Sequence, residues 1–297
     1  MLTIDQCNLC PRGCGIDRST QVGFCQGSYK CKLARAALHF WEEPCISGTR
    51  GSGTIFFSGC NLRCCYCQNY QISSEGRGKE ISPERLAEIY WELQETGAHN
   101  INLVTATPHL PHVLKALDLV KSGLHIPVVY NSSGYEKVDT IKELNGYVDV
   151  YLPDLKYFNN DLARKYSNAP DYFEAASAAI REMIRQTGGL EFDKNGIIQK
   201  GVIIRHLILP GGRKDSLAIL RWIRENLPFD RYWLSLMSQY TPVYMSADYP
   251  EINRRITSLE YESVVEEARR LGMINGYIQE RSSACQEYTP LFNLEGI

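Results

Sequence analysis

Three cysteines stand at C-x3-C-x2-C spacing, Cys60, Cys64 and Cys67, in the run FFSGCNLRCCYCQN. Three thiolates can hold three corners of an iron–sulfur cube, and no fourth cysteine follows at ferredoxin spacing. An iron without a protein ligand is open for chemistry, as a catalytic metal's free position is, and a chelating ligand must fill it. A zinc knuckle is the other reading of this triplet. Cys65 is read as a spectator inside it, because adjacent thiols rarely reach separate corners of one cube. A second set, Cys7, Cys10, Cys14 and Cys25, supplies four thiolates. That number closes a structural zinc site or completes a second 4Fe–4S cluster, and spacing does not separate the two. Gly13, Gly15, Gly23 and Gly27 permit the tight turns that thiolate knuckles need. Cys31 and Cys45 are spare, Cys45 as a structural thiol or a site residue, and Cys285 is read as an ordinary thiol.

Ten of the eleven cysteines precede Tyr70, and such clustering points to metal rather than to bridges spread through a fold. A chain of 297 residues also buries a full core without disulfide staples. No charged-then-apolar leader opens it, so a reduced, cytoplasmic setting is expected. The formal charge is −2 and no basic tract stands out, so nucleic-acid binding is not expected as a main task. The longest apolar stretch, GVIIRHLILPG, is broken by Arg205 and His206 and is too short to span a bilayer.

The elements that must position these residues are legible from pattern. Residues 1–50 form a Cys- and Gly-rich amino-terminal metal-binding region with one short helix expected near Lys32 to Phe40. From residue 51 to 297, apolar strands alternate with amphipathic helices, the pattern of βα repeats on a parallel sheet. Strands are expected at Thr54–Ser58, Asn100–Thr105, Ile126–Asn131, Tyr147–Leu152, Gly201–Leu209 and Tyr232–Leu236, with a short last one near Tyr277–Gln279. Ser82 caps and Pro83 opens a helix that buries Leu86, Ile89, Tyr90 and Leu93 and closes at Gly97. Val113, Leu114, Leu117 and Val120 form the apolar face of the next. Further helices are expected at Glu136–Leu144, Tyr172–Gln186, Ser216–Asn226 and Ser258–Leu271. The fold class is α/β, a partial (β/α)6 TIM-type barrel, with a flat doubly wound sheet as the alternative.

In parallel barrels the site lies at the carboxyl ends of the strands, and the triplet follows the first strand directly. The other strand ends should converge on it. They offer Thr105, Thr107 and His109, then Asn131 and Ser132, then Asp154 and Lys156, and finally Met237 and Gln239. Asp154 and Lys156 are two apart and face the same side, where they pair with each other or point at a ligand. His109 is read as a site acid, a ligand contact or a loop residue, and Asn131 and Ser132 as site residues or a loop cap. Arg205 sits in an apolar strand and needs a partner, since an unpaired charge there costs several kcal/mol.

The triplet, with Tyr66 as the aromatic before its last cysteine, resembles the signature of the radical S-adenosylmethionine (SAM) superfamily. CNLCPRGCGIDR, HFWEEPCISGTRGSGTIFFSGCNLRCCYCQNYQIS, GYVDVYLPDLKY, IRHLILPGG and SLMSQYTP extend the similarity along most of the chain to its pyruvate formate-lyase activating enzyme-related subfamily. The resemblance implies that the methionyl amine and carboxylate of SAM bind the open iron, and that one electron releases a 5′-deoxyadenosyl radical that abstracts hydrogen from a substrate. It implies SAM contacts from Tyr66, Thr105, Thr107, Asn131, Ser132, Asp154, Lys156, Arg205, Met237 and Gln239. It also implies a reductant such as flavodoxin or ferredoxin. The first expectation is a glycyl-radical enzyme activase acting on a protein partner. The alternatives are a radical enzyme that modifies a small molecule or another protein, and a non-enzymatic iron–sulfur electron carrier or metal scaffold. The chain departs from its resemblances in four places. Strand two lacks a carboxylate to receive the SAM amine, strand three lacks the Asp of an Asp-Thr-Asn-Gly segment, strand six offers Met237 and Gln239 where relatives often place a histidine, and the extra cysteines precede the triplet rather than follow it.

Overall fold

The computed structural model describes residues 2–273, 275–280 and 289–297; Cys285 lies outside the described residues. The strands are β1 Cys31–His39, β2 Ser52–Phe57, β3 Lys79–Ile81, β4 Ile101–Val104, β5 Val128–Ser132, β6 Val150–Pro153, β7 Glu191–Phe192, β8 Ile198–Leu207, β9 Trp233–Met237 and β10 Gly276–Ile278. They form one sheet in the order β10-β9-β8-β6-β5-β4-β2-β1-β3, with β7 hairpinned onto β8. Pairing is parallel from β2 to β10 and antiparallel where β1 joins β2 and β3. Among the described residues β3 and β10 do not pair with each other, so the barrel is partial and open.

Helices follow the parallel strands as crossover connections do. Pro83–Glu95 follows β2, Leu110–Val120 follows β4, and Val138–Glu143 follows β5. Asn160–Ser167 and Tyr172–Thr187 follow β6, Arg213–Asn226 follows β8 and Ser258–Arg270 follows β9. Their ends are set by local chemistry. Ser82 Oγ accepts from the Arg85 N–H at 3.2 Å, and Thr257 closes a capping box with Glu260; each such cap contributes about 1 kcal/mol.

One expectation fails here. Residues 32–40 were to be helical, and Cys31–His39 is instead a nine-residue strand. Ala, Leu, Arg and Lys favour a helix by only tenths of a kcal/mol each. Pairing on two sides outweighs that: Ala36 lies against Ile55 and Lys32 against Glu80, with Cys31 and Leu33 fully buried. The Cys-rich segment thus reaches the main sheet through β1.

The parallel strands are buried on both faces, and period two sorts their side chains. Tyr130, Tyr151 and Ile204 face the helices in the large core. Their neighbours Val129, Val150, Leu152 and Ile203 face inward, where they pack with Cys45, Ile46 and Ile198. Cys45 and Ile46 belong to a one-turn helix, Pro44–Ser47, which plugs the barrel where its strands begin. Full burial of Ile46 contributes about 1.5–3 kcal/mol. The inward column turns polar one step further along each strand, and there the site begins.

Candidate functional site

A cleft opens at the carboxyl ends of the parallel strands, with about 1080 Å³ of empty space counted out to solvent. Strands β2, β4, β5, β8 and β9 give it Phe56, Val104, Asn131, Arg205, Leu207 and Met237, and Asp154 follows the end of β6. Asn131, Asp154 and Arg205 continue the inward columns of Val129, Leu152 and Ile203, two residues on in each case. Cys64, Tyr66, Cys67, Lys156, Gln239 and Tyr240 complete the wall, and Trp41 and Glu42 enter from the amino-terminal segment.

Four ionic side chains knit its floor. Arg205 donates from Nε to Asp154 Oδ1 at 2.9 Å, from Nη1 to Glu42 Oε2 at 3.3 Å, and from Nη2 to Asn131 Oδ1 at 2.6 Å. Lys156 Nζ donates to Asp154 Oδ2 at 2.5 Å. Asn102 and Asn131 donate to the other oxygen of Glu42 at 3.3 and 3.2 Å. Burial alone would push the Asp154 carboxyl up, but Arg205 and Lys156 hold it below the usual carboxylate range. Burial likewise opposes the charge on Lys156, and Asp154 with the Cys64 thiol raises it above an ordinary lysine. Glu42 goes the other way, since burial raises it more than Arg205 lowers it. Both partners anticipated for Asp154 and Lys156 are therefore present, each other and the cleft.

The triplet occupies the loop after β2. Gly59, at φ +90°, turns the chain so closely that an added Cβ would lie 2.3 Å from the Cys25 carbonyl oxygen. Each of the three sulfurs meets a hydrogen-bonding group. The Leu62 N–H donates to Cys60 Sγ at 3.4 Å, Ser167 Oγ donates to Cys64 Sγ at 3.0 Å, and Ser73 Oγ lies 3.2 Å from Cys67 Sγ. Behind Ser167 stand two buried phenols, Tyr157 at 2.7 Å and then Tyr66 at 2.5 Å. Burial pushes all three thiols up, Cys64 to about 11, with Lys156 opposing the shift there. Thiols so placed stay protonated until a cationic metal group takes the proton's place. Three thiols on one loop, each met by a hydrogen-bonding group, are a donor set that would suit three irons of a 4Fe–4S cluster. Among the described residues no three Cys, His, Asp or Glu side chains converge to hold a single metal ion. Cys65 packs into the helical core instead, its main chain held by Tyr166 and Met245.

Not every anticipated residue reaches the cleft. Thr107 gives its hydroxyl to Glu136 at 2.7 Å and meets Tyr130 at 2.9 Å. Ser132 Oγ accepts from the Gly134 N–H at 3.2 Å, because a strand residue next to the inward Asn131 faces outward. Thr105 adopts φ +61° and turns the chain away after β4; its N–H donates to the Asn131 carbonyl at 2.9 Å. None of the three lines the cleft. His109 is buried against Phe57, with Nε2 at 2.8 Å from the Ser58 carbonyl. Residues missed from sequence are Glu42, Asn102 and Ser167. HFWEEP carries no local sign of which carboxylate turns inward, and only the ion pair with Arg205 reveals Glu42 as its counter-charge.

A family model described as the radical SAM superfamily matches residues 54–190. Over 279 residues the chain is 34% identical to the uncharacterized protein MJ0674 of Methanocaldococcus jannaschii, covering 90% of this chain and 75% of that one. The uncharacterized protein MJ0808 of the same organism is 23% identical over 307 residues, covering 93% and 84%. Among solved structures, methylornithine synthase (PylB) is similar in fold, with a TM-score of 0.50 at 15% identity over 79% of this chain and 63% of that chain. The chain thus spans less than two thirds of that solved chain.

Proposed function

The chain belongs to the radical SAM superfamily, and from that premise we propose that it generates a radical in the cleft and uses it on a glycine-bearing peptide segment of a partner protein. When bound, a 4Fe–4S cluster and SAM supply one-electron cleavage of the sulfonium and a 5′-deoxyadenosyl radical that takes a hydrogen atom. In this reading Cys60, Cys64 and Cys67 hold three irons of the cluster. Lys156 and Arg205 present fixed positive charge to the SAM carboxylate, and Asp154, Glu42 and Asn131 hold those two cations in place at no reorganisation cost during reaction. Tyr66, Met237 and Gln239 shape the wall beside them. Leu207, Val104 and Phe56 supply the apolar lining that keeps water from a reactive intermediate. The electron comes from a low-potential one-electron carrier such as flavodoxin or ferredoxin.

The observation that carries this reading is convergence: two of the triplet's thiols and the Asp154–Lys156–Arg205 set share one cleft. An electron carrier with closed cysteine sets has no use for such a floor. A peptide substrate is favoured by the open sheet, since among the described residues β3 and β10 do not pair and leave the cleft unclosed on one side. The test uses the reconstituted full chain with SAM, dithionite and peptides whose glycine carries deuterium at Cα. Deuterium in 5′-deoxyadenosine supports the proposal. Product formation without deuterium from any glycine peptide, but with transfer from a small metabolite, would replace the peptide by a small-molecule substrate.

A further inference from the structure

We propose that Cys7, Cys10, Cys14 and Cys25 bind a second iron–sulfur cluster of the 4Fe–4S type, outside the cleft and beside the triplet. The inference goes beyond the proposed function and does not depend on which substrate the cleft takes.

Residues 2–30 contain no helix or strand, yet Cys7, Cys10 and Cys25 are only 2%, 7% and 4% exposed. All four cysteines are free thiols. Turns fold the first three together: the Cys7 N–H donates to the Ile16 carbonyl at 2.8 Å, Gly15 to Cys7 at 2.9 Å, and Gly13 to Cys10 at 3.0 Å. Gly13 and Gly15 supply the positive φ that these turns require. Cys25 lies beside the same turns: a Cβ on Gly23 would meet Cys25 Sγ at 3.5 Å and the Ile16 side chain at 3.8 Å, and the Ile16 carbonyl is the one that holds the Cys7 N–H.

The surroundings are built for negative charge. Arg18 is 3% exposed; its Nη2 donates to Cys25 Sγ at 3.5 Å, and its Nη1 to the Pro108 carbonyl at 2.5 Å. Its Nε is buried without a hydrogen-bond partner, an arrangement that is costly beside neutral thiols and compensated beside thiolates. The Gly27 N–H also points at Cys25 Sγ, at 3.4 Å, and a Cβ at Gly27 would stand 2.9 Å from the Arg18 guanidinium.

Four thiolates close a zinc tetrahedron or a cube alike. Position favours the cube, because a redox group beside the triplet can pass it an electron and zinc cannot. The site is also distinct from the cleft, none of whose walls it supplies. It adjoins the triplet through the main chain, where the Cys60 N–H donates to the Cys25 carbonyl at 3.1 Å.

The test is the full-length Cys60→Ala/Cys64→Ala/Cys67→Ala variant, reconstituted anaerobically with ferrous iron and sulfide in the presence of equimolar zinc. The expected result is about 4 iron and 4 sulfide per chain, with an EPR signal on dithionite reduction, against about 8 of each in the unaltered protein. Zinc without sulfide, or no metal in a variant whose far-UV circular dichroism matches the parent, overturns the proposal. A Cys7→Ser/Cys10→Ser variant with the triplet intact guards against misfolding of the first. Its iron and sulfide should fall by half; unchanged content overturns the proposal equally.

Discussion

Replacing Ser167 by Ala should make the triplet's cluster harder to reduce. Ser167 Oγ donates to Cys64 Sγ at 3.0 Å from a fully buried position, and it ends a hydroxyl chain that runs from Tyr66 through Tyr157. A hydrogen bond to a charged group is worth about 1.5–3 kcal/mol. Only the part that strengthens when the cluster gains an electron moves its potential. Taking that part as about 1 kcal/mol, with a tenfold change in equilibrium corresponding to about 59 mV for one electron, the midpoint should fall by about 40 mV. Ala leaves the fold intact by this reasoning, because Tyr157 keeps its bond to Tyr66 and the Ser167 carbonyl keeps the Arg63 N–H. The assay is an anaerobic potentiometric titration followed by EPR, on the signal that disappears in Cys64→Ala. Ser73→Ala, acting on Cys67 from 3.2 Å, should shift the potential in the same direction. An unchanged or raised midpoint in Ser167→Ala would refute the idea that these hydroxyls tune the cluster.

Other perturbations separate binding from folding. Lys156→Met removes one cation but leaves Asp154 paired with Arg205; SAM affinity should weaken about tenfold, roughly 1.4 kcal/mol, by anaerobic equilibrium binding, with little change in thermal stability. Unaltered affinity would remove Lys156 from the site. His206 is held between the Leu155 carbonyl and Ser216 Oγ, both at 2.8 Å, and burial pushes it down to about 4. Unfolded histidine takes up its proton near 6.5, so between about 6.5 and 4 the unfolded chain binds a proton that the native chain refuses. Stability is therefore complete above that window and falls as pH drops through it, by up to about 1.4 kcal/mol per unit; His206→Asn should flatten the slope of the unfolding midpoint against pH, and an identical slope would exclude this histidine as a source. Gly134→Ala places a Cβ 2.0 Å from the Asp154 carbonyl oxygen at φ +77°. It should lower the melting temperature and disturb Asp154 and SAM binding together, whereas a stable, fully binding variant would show that this turn does not set the floor.

The parallel strands were legible because each is an apolar run between Gly, Pro or Asn, and strand period alone placed Asp154 and Lys156 on one side. The same period separates Asn131 from Ser132, although adjacent polar residues at a strand end look equivalent in sequence. β1 was illegible because CKLARAALH has helical propensities, and only its two antiparallel neighbours decide otherwise. Glu42 was hidden for a related reason: a buried counter-charge 163 positions from Arg205 leaves no local pattern. The helix Asn160–Ser167, which supplies Ser167, is short and polar, yet it does carry a signal. Asn159 caps it through the Asp161 N–H at 2.8 Å, and Asn168 ends it in the left-handed conformation; Asn at both boundaries is a readable pair of stops.

The most direct test of the account is product formation. The full chain, reconstituted anaerobically and supplied with SAM and dithionite, should release 5′-deoxyadenosine, and Cys60→Ala, Cys64→Ala and Cys67→Ala should each abolish it. A chain with its cluster intact by iron and sulfide content that releases none, or a triplet variant that still cleaves SAM, would contradict the central claim.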